Sequence, residues 1–252
     1  MGSTCCAALA FLLLANGSAR AAEQITVAAA ANLTVAFRAI GAKFEQETGI
    51  HPVFSFASTA QLTQQAANGA PFDVIAAADI SHIDELERAG FLAPGSKAIY
   101  ARGAIALWVP PGGRASMRAL EDLAGPQVRV IAIAKPELAP YGRAAVEALQ
   151  RAGLWDRVRS RVVYAENINM ARQYGVSGNA DAVFTAYPLA VAMHDAGTVI
   201  PIDPILYTPI DQALGILARS TNKDAARKFT DFLLRGSGRE MLREYGYASP
   251  MR

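Results

Sequence analysis

The chain has 252 residues, of which 52% are hydrophobic and 18% charged, and its formal net charge is +2. This length is sufficient for one large α/β domain or two lobes of moderate size, and the apolar content excludes an intrinsically disordered chain. The near-neutral balance, without runs of lysine or arginine, provides no electrostatic basis for binding nucleic acid or a membrane surface. We therefore expect no nucleic-acid partner.

The first segment has the features of an export signal. An apolar run over residues 7–15 is too short to span a bilayer, and residues 19–21 form a small-x-small cleavage pattern. We interpret residues 1–21 as a cleaved secretory signal peptide and predict a periplasmic location. Cys5 and Cys6 lie in this segment, so the rest of the chain offers no disulfide and no cysteine ligand for a metal.

The first predicted strand runs directly into a helix. Residues 25–31 form an apolar run that is typical of a strand buried on both faces. From Leu33 the apolar residues recur at helical spacing, and they are Leu33, Phe37, Ile40 and Phe44. Asn32 is therefore predicted at or near the helix N-cap, where unpaired backbone N–H groups and the positive end of the helix dipole meet. Open α/β sheets bind ligands at this end of their strands.

Two further strand-to-helix units follow before residue 95. Ser58 and Thr59 stand at the start of the second helix, in the place that Asn32 has in the first unit. A long apolar run over 99–109, broken by Arg102 and Gly103, then marks the crossing into a second lobe. The elements predicted in this half are strands over 49–56 and 72–78, a helix around Leu62 and Ala66, and a helix over 79–89.

The second half repeats this order, and two of its junctions also place amide groups at helix starts. A loop over 135–140 leads to Tyr141 at the start of a helix over 142–152, and Asn167 caps a helix that begins near Ile168. The repeated β-then-α order predicts parallel sheets with right-handed crossovers. The other predicted elements are a helix over 116–123, strands over 128–134, 162–164, 181–186 and 199–200, a helix from about 188, a return to the first lobe over 205–210, a strand over 212–218, and closing helices over 223–234 and 238–245.

Helix starts that converge from two lobes would surround a cavity with hydrogen-bond donors. The four junctions with such groups carry Asn32, Ser58 with Thr59, Tyr141, and Ile168. A cavity of this kind binds an anion without any charged side chain.

An enzyme is the alternative class of protein, and the sequence offers no recognisable reactive group for it. The histidines His51, His82 and His194 are scattered without metal-ligand spacing, and no G-x-S-x-G motif is present. Asp73 and Asp79 are too far apart along a strand to act as an acid–base pair. We therefore expect no catalysis. A regulatory effector domain is a third possibility, disfavoured by the export signal and the lack of a DNA-binding segment.

The sequence resembles the periplasmic molybdate-binding proteins of ABC importers, which have the type II solute-binding protein fold. The resemblance covers essentially the whole chain after the predicted signal peptide. It rests on the stretches AAANLT (29–34), FAST (56–59), GAPFDV (69–74), APYGRA (139–144) and AENI (165–168). It implies an α/β fold of two lobes, each a mostly parallel sheet flanked by helices. We place lobe one at 22–101 plus 207–252 and lobe two at 102–206.

The resemblance also implies a ligand and a set of binding residues. Members of the family bind molybdate or tungstate between the lobes through hydroxyl and amide donors, so that molybdenum enters only as the oxyanion, with no direct protein ligand. Carried over, the binding residues are Asn32, Thr59, Tyr141 and Ile168, of which Tyr141 and Ile168 would act through their main-chain N–H groups. The further candidates are Ala31, Ser58 and Thr185, the last at a place where many members have a tyrosine.

The expected partners follow from the same resemblance. They are the oxyanion and the membrane permease of an ABC importer with its ATPase, and we expect a monomer without a cofactor. Within the same class of binding protein, another oxyanion such as sulfate is the alternative ligand.

Overall fold

The computed structural model describes residues 23–112, 117–192 and 197–250, so the predicted signal peptide and His194 lie outside the described residues. In chain order the strands are β1 (Gln24–Ala30), β2 (His51–Ala57), β3 (Val74–Ala76), β4 (Ala98–Gly103), β5 (Ile105–Val109), β6 (Ile131–Ala134), β7 (Val162–Ala165), β8 (Ala182–Ala186), β9 (Thr198–Pro201) and β10 (Ile210–Ile216). The helices are α1 (Thr34–Thr48), α2 (Thr59–Ala67), α3 (Ser81–Arg88), α4 (Pro140–Arg151), α5 (Trp155–Val158), α6 (Ile168–Val176), α7 (Tyr187–Ala192), α8 (Lys223–Arg235) and α9 (Ser237–Glu244).

The strands form two five-stranded sheets flanked by helices, which confirms the predicted fold class. Sheet one has the order β2-β1-β3-β10-β4 and sheet two the order β7-β6-β8-β5-β9. We refer to each sheet with its helices as lobe one and lobe two.

Each sheet is mixed, because one of its strands runs against the other four. β10 is antiparallel to β3 and β4, and β5 is antiparallel to β8 and β9. The pairs of β1 with β2 and β3, and of β6 with β7 and β8, are parallel. The reversal has a simple cause: β5 and β10 enter their lobes from the connections between the lobes, and so begin at the edge where the parallel strands end.

The apolar run over 99–109 is two strands rather than one. β4 ends at Gly103 in sheet one and β5 begins at Ile105 in sheet two, so the first connection between the lobes is Ala104. The second connection lies between β9 and β10 and contains the 3-10 turn Pro204–Leu206. The helix predicted over 116–123 is instead a 3-10 turn at Leu120–Ala124, and residue 116 lies outside the described residues.

Helix α1 buries the apolar face that its sequence period predicts. Leu33, Phe37, Ile40 and Phe44 are all fully buried, and the Phe44 ring packs edge-on at 5.2 Å from the ring of Phe229 in α8. This packing fixes the first turn of α1 at the carboxyl edge of sheet one. No helix in the described ranges is long and apolar enough to cross a bilayer.

Candidate functional site

A small cavity lies where helix starts from the two lobes meet. Asn32, Ser58 and Thr59 line it from lobe one, and Tyr141 and Ile168 line it from lobe two. Ala31 and Asn167 also contribute to the lining, and no charged side chain does so among the described residues. Its volume of about 10 Å³ is far below the roughly 300–1,000 Å³ of pockets for drug-sized ligands. Only a small ligand fits.

The main-chain N–H groups at three helix starts are unpaired. Thr59 is the first residue of α2, Ile168 the first of α6, and Tyr141 follows Pro140 at the start of α4. In the described part of the chain no acceptor takes these N–H groups or that of Asn32, as expected in the first turn of a helix. Because the positive ends of the helix dipoles lie at the same cavity, the site favours a negative ligand.

The two neighbouring hydroxyls, Ser58 and Thr59, differ in what they can offer a ligand. The Ser58 hydroxyl donates to Oε1 of Gln61 at 2.7 Å, so its hydrogen is used within the helix cap. The Thr59 Oγ1 accepts from the N–H of Ala78 at 3.1 Å, which leaves its own hydrogen available. The geometry therefore favours Thr59 over Ser58 as the hydroxyl donor.

Asn32 lies near a helix N-cap, as the sequence predicts, because it directly precedes Leu33, the N-cap of α1, but it is not a cap itself. It lies in the 3-10 turn Ala31–Leu33, whose N-cap residue is Ala30, and its side chain makes no capping hydrogen bond. Instead the buried amide Nδ2 donates to Oε1 of Gln212 at 2.8 Å and to the Tyr247 hydroxyl at 3.1 Å. These partners are distant in sequence, so the local pattern at Asn32 could not indicate them.

Three buried phenols complete a polar network around Asn32. The Tyr141 oxygen accepts from Nε2 of Gln212 at 3.3 Å, and Tyr100 lies 3.2 Å from Oε1 of the same side chain. Burial raises the pKa values of Tyr100, Tyr141 and Tyr247. All three phenols therefore keep their hydrogens and remain neutral donors. No local pattern marks Gln212, Tyr100 or Tyr247 as functional, since each occupies an ordinary position in a strand or near the end of the chain.

Thr185 is not part of the cavity lining. It lies on β8 opposite Ala106 of β5 and is buried, and its Oγ1 has no hydrogen-bond partner among the described residues. Thr185, a further candidate beside the four binding residues, therefore has a hydroxyl that does not line the cavity.

The carboxylates considered for catalysis do not come together. Asp73 is buried and accepts from the Ser220 hydroxyl at 2.6 Å and the Thr26 N–H at 2.8 Å, which ties β1 to the segment after β10. Asp79 instead contacts His82 and Arg143. The described residues contain no cluster of three or more His, Cys, Asp or Glu side chains able to hold a metal ion.

The lobes touch each other around the cavity. The hydrogen bonds that join them include those from Ala60 N to Leu138 O (3.2 Å), from Asn169 Nδ2 to Thr34 Oγ1 (2.8 Å) and from Arg143 Nη2 to Asp79 Oδ2 (2.8 Å). The arrangement is a closed one, in which donors from both lobes face one small space.

A sequence model for bacterial extracellular solute-binding proteins matches residues 25–248 of this chain. The chain belongs to this family.

Relatives within the solute-binding protein family carry more specific names. The chain is 32% identical over 230 residues to the molybdate-binding protein ModA of Rhodobacter capsulatus, covering 91% of this chain and 90% of that protein. It is 35% identical over 231 residues to ModA of Azotobacter vinelandii, with 90% of each covered. A solved structure of the periplasmic molybdate-binding protein of Azotobacter vinelandii superposes with a TM-score of 0.84 at 30% identity, covering 90% of this chain and all of that one.

His82, at the cleft edge of this solute-binding protein, should make its stability depend on pH. The hydrogen bond from Nδ1 to Asp79, at 2.8 Å, raises the pKa of His82 against the opposing effect of burial. Burial works to raise the pKa of Asp79, but the hydrogen bond and charge of His82, with the charge of Arg143, lower it overall. The stability that ionised Asp79 gives the folded state is therefore lost only as the pH falls into the acid range.

A histidine with a raised pKa in the folded state stabilises the fold fully below its unfolded pKa of about 6.5, and this stabilisation is lost as pH rises through the folded pKa. We expect the melting temperature to fall as pH rises above about 6.5, and to fall less in His82→Gln. The control is His51→Gln, which removes an exposed histidine paired with Glu45. Parallel pH profiles for the parent and His82→Gln would contradict the assignment.

Proposed function

We propose that this chain captures molybdate or tungstate between its lobes and delivers the oxyanion to an ABC importer. The names of the relatives from Rhodobacter capsulatus and Azotobacter vinelandii support this ligand class. The solved Azotobacter structure, with the same fold over nine tenths of this chain, supports it further.

One observation carries the proposal. Main-chain N–H groups of Asn32 and Thr59 from lobe one, and of Tyr141 and Ile168 from lobe two, are unpaired among the described residues and meet at a single cavity. No charged side chain in this part of the chain lines the cavity. Such a site satisfies the several oxygens of a small anion at once and offers nothing to a cation. Donors divided between the lobes also make the closed state the binding state.

The donor set favours fully deprotonated tetrahedral dianions. Molybdate, tungstate and sulfate carry no hydrogen near neutral pH, so each oxygen can accept from an N–H or O–H group. Phosphate retains a hydrogen on much of its population, and that hydrogen needs an acceptor. No carboxylate lines the cavity among the described residues, so phosphate should bind poorly.

The wider role follows from the same proposal. The partners are the importer's membrane permease and its ATPase, the location is the periplasm after removal of residues 1–21, and the protein works as a monomer. It acts by binding and release, without catalysis and without a cofactor. Membership in the family of bacterial extracellular solute-binding proteins supports this role.

Calorimetric titration with molybdate, tungstate, sulfate and phosphate tests the proposal. We expect tight binding of molybdate and tungstate, weaker binding of sulfate and little heat from phosphate. Tight sulfate binding with no heat from molybdate would reassign the protein to the alternative oxyanion. No heat from any of the four would reject the oxyanion class.

A further inference from the structure

Gln212 lies at the centre of the polar network behind the cavity. It is on β10, which follows the second connection between the lobes, and its side chain is fully buried. Its Oε1 accepts from Nδ2 of Asn32 at 2.8 Å, and its Nε2 donates to the oxygen of Tyr141 at 3.3 Å. It therefore joins a lobe-one residue to a lobe-two residue, and these two residues line the cavity.

The backbone at Gln212 is irregular in a way that redirects a side chain. The pairing of β10 with β4 changes register between Gln212 and Ala213. Bulges of this kind often lie beside functional sites, where they turn a side chain out of the regular alternation. The irregularity agrees with a role of the Gln212 side chain at the site, in addition to the place of its backbone in the sheet.

The hydrogens of the network can be assigned one by one. The two amide hydrogens of Asn32 go to the nearer acceptors, Gln212 Oε1 at 2.8 Å and the Tyr247 oxygen at 3.1 Å, whereas Tyr141 is more distant at 3.4 Å. Tyr247 donates its own hydrogen to the main-chain oxygen of Asn32 at 2.9 Å. The side chain of Asn32 therefore has no hydrogen left for a ligand.

The same assignment leaves one phenolic hydrogen over. The Tyr141 oxygen receives a hydrogen from Gln212, and among the described residues no acceptor takes the hydrogen of Tyr141 itself. Because burial keeps this phenol neutral, the hydrogen is present at any physiological pH. A residue that lines the cavity thus holds an unused donor.

Gly103 shows how closely the network depends on the contact between the lobes. A Cβ atom on Gly103, the last residue of β4, would overlap the Tyr141 hydroxyl and lie 3.0 Å from Nε2 of Gln212. The Tyr141 phenol of lobe two therefore packs directly against Gly103 of sheet one, the residue before the first connection, while Gln212 follows the second connection.

We propose that Gln212 is a positioning residue, which holds Asn32 and Tyr141 in the arrangement that leaves the Tyr141 hydroxyl hydrogen for the bound oxyanion. The inference rests on the proposed function, since it concerns how the same site is assembled. It assigns Asn32 a main-chain contact to the ligand and a side-chain role in the network.

A double-mutant cycle tests the inference. Gln212→Met keeps the volume and removes both polar atoms, Tyr141→Phe removes the phenolic hydrogen, and molybdate affinity is measured by calorimetry for both variants and their combination. We expect Gln212→Met to weaken binding about tenfold, as is typical for residues that orient ligand-binding groups, and Tyr141→Phe to weaken it about ten- to hundredfold. In the Tyr141→Phe background, Gln212→Met should have less than about a twofold effect.

The control is Thr230→Val, which removes a buried hydroxyl of lobe one that bonds only within α8. It should leave affinity unchanged even if it lowers the melting temperature. Equal effects of Gln212→Met in the two backgrounds, or no effect in the parent, would overturn the inference. Failure of the parent itself to bind molybdate would instead reject the proposed function.

A second variant covers the case in which Gln212→Met does not fold. Gln212→Glu keeps the shape and an acceptor for Asn32, but its second oxygen accepts the Tyr141 hydrogen instead of donating to the phenol. We expect molybdate affinity to fall at least about tenfold. Affinity equal to that of the parent would overturn the inference.

Discussion

Gly142→Ala should lower the stability of the protein and weaken molybdate binding more than any other single-methyl change near the site. Gly142 is the third residue of α4. A Cβ atom there would overlap the main-chain oxygen of Ala134 at the end of β6 and lie 2.7 Å from its carbonyl carbon. Because backbone atoms cannot rotate away, the start of α4 must move, and Tyr141 moves with it.

Overpacking of this kind costs about 1–3 kcal/mol, and more where rigid backbone is involved. For a chain of this size that lowers the melting temperature by roughly 2–4 °C per kcal/mol. We expect affinity to fall at least about tenfold, since the Tyr141 N–H and hydroxyl are displaced together. Thermal unfolding and calorimetry on the same sample measure the two effects.

The matched control is Gly153→Asn, just beyond the other end of α4. Gly153 has φ +68° and open space around its Cα, and asparagine tolerates this left-handed conformation better than most residues. The control should bind molybdate as the parent does. If Gly142→Ala also bound normally, the close fit between α4 and β6 would have no role in placing Tyr141.

Asn32→Asp should abolish most of the affinity while keeping the size of the side chain. In the parent, Nδ2 of Asn32 donates to Oε1 of Gln212 at 2.8 Å. In the variant a carboxylate oxygen would replace Nδ2 and face the same Oε1, so a buried hydrogen bond would be replaced by a repulsion between two acceptors. Leaving buried acceptors unsatisfied costs about 1–3 kcal/mol of stability. The carboxylate would also lie beside the bound dianion.

The electrostatic effect on binding is the larger one. Two unit negative charges about 5 Å apart repel by roughly 3 kcal/mol at an effective dielectric constant of 20, which corresponds to more than about a hundredfold in affinity. The control is Asn179→Asp, an exposed residue beyond the far end of α6. This control makes the same chemical change far from the cavity, and its molybdate affinity should stay within about twofold of the parent's. Near-parental affinity in Asn32→Asp would remove this residue from the site.

The helix starts were predictable from the sequence because their signals are local. A buried apolar run followed by helical periodicity located the first turn of α1. The loop predicted over 135–140 placed Tyr141 at the start of a helix, within two residues of the true start of α4 at Pro140. The capping residues Ser58 and Asn167 located the starts of α2 and α6. Once the strands are parallel, their carboxyl ends and the following helix starts must share one edge.

The partners of these residues were not predictable, because they are set by tertiary contacts. Asn32 looked like a cap, yet its amide is used by Gln212 and Tyr247, which lie 180 and 215 positions away. The reversal of β5 and β10 depends on where the chain crosses between the lobes. A single residue, Ala104, makes the first crossing, directly after the Arg102 and Gly103 that interrupt the apolar run. No periodic pattern marks such a crossing.

Crystals grown with molybdate give the most direct test of the central claim, that donors from the two lobes hold one oxyanion between them. Molybdenum is located independently by its anomalous scattering. We expect a single strong peak in the cavity, with the oxyanion oxygens about 2.7–3.2 Å from the main-chain nitrogens of Asn32, Thr59, Tyr141 and Ile168. Molybdenum bound elsewhere, or to groups of one lobe only, would contradict it.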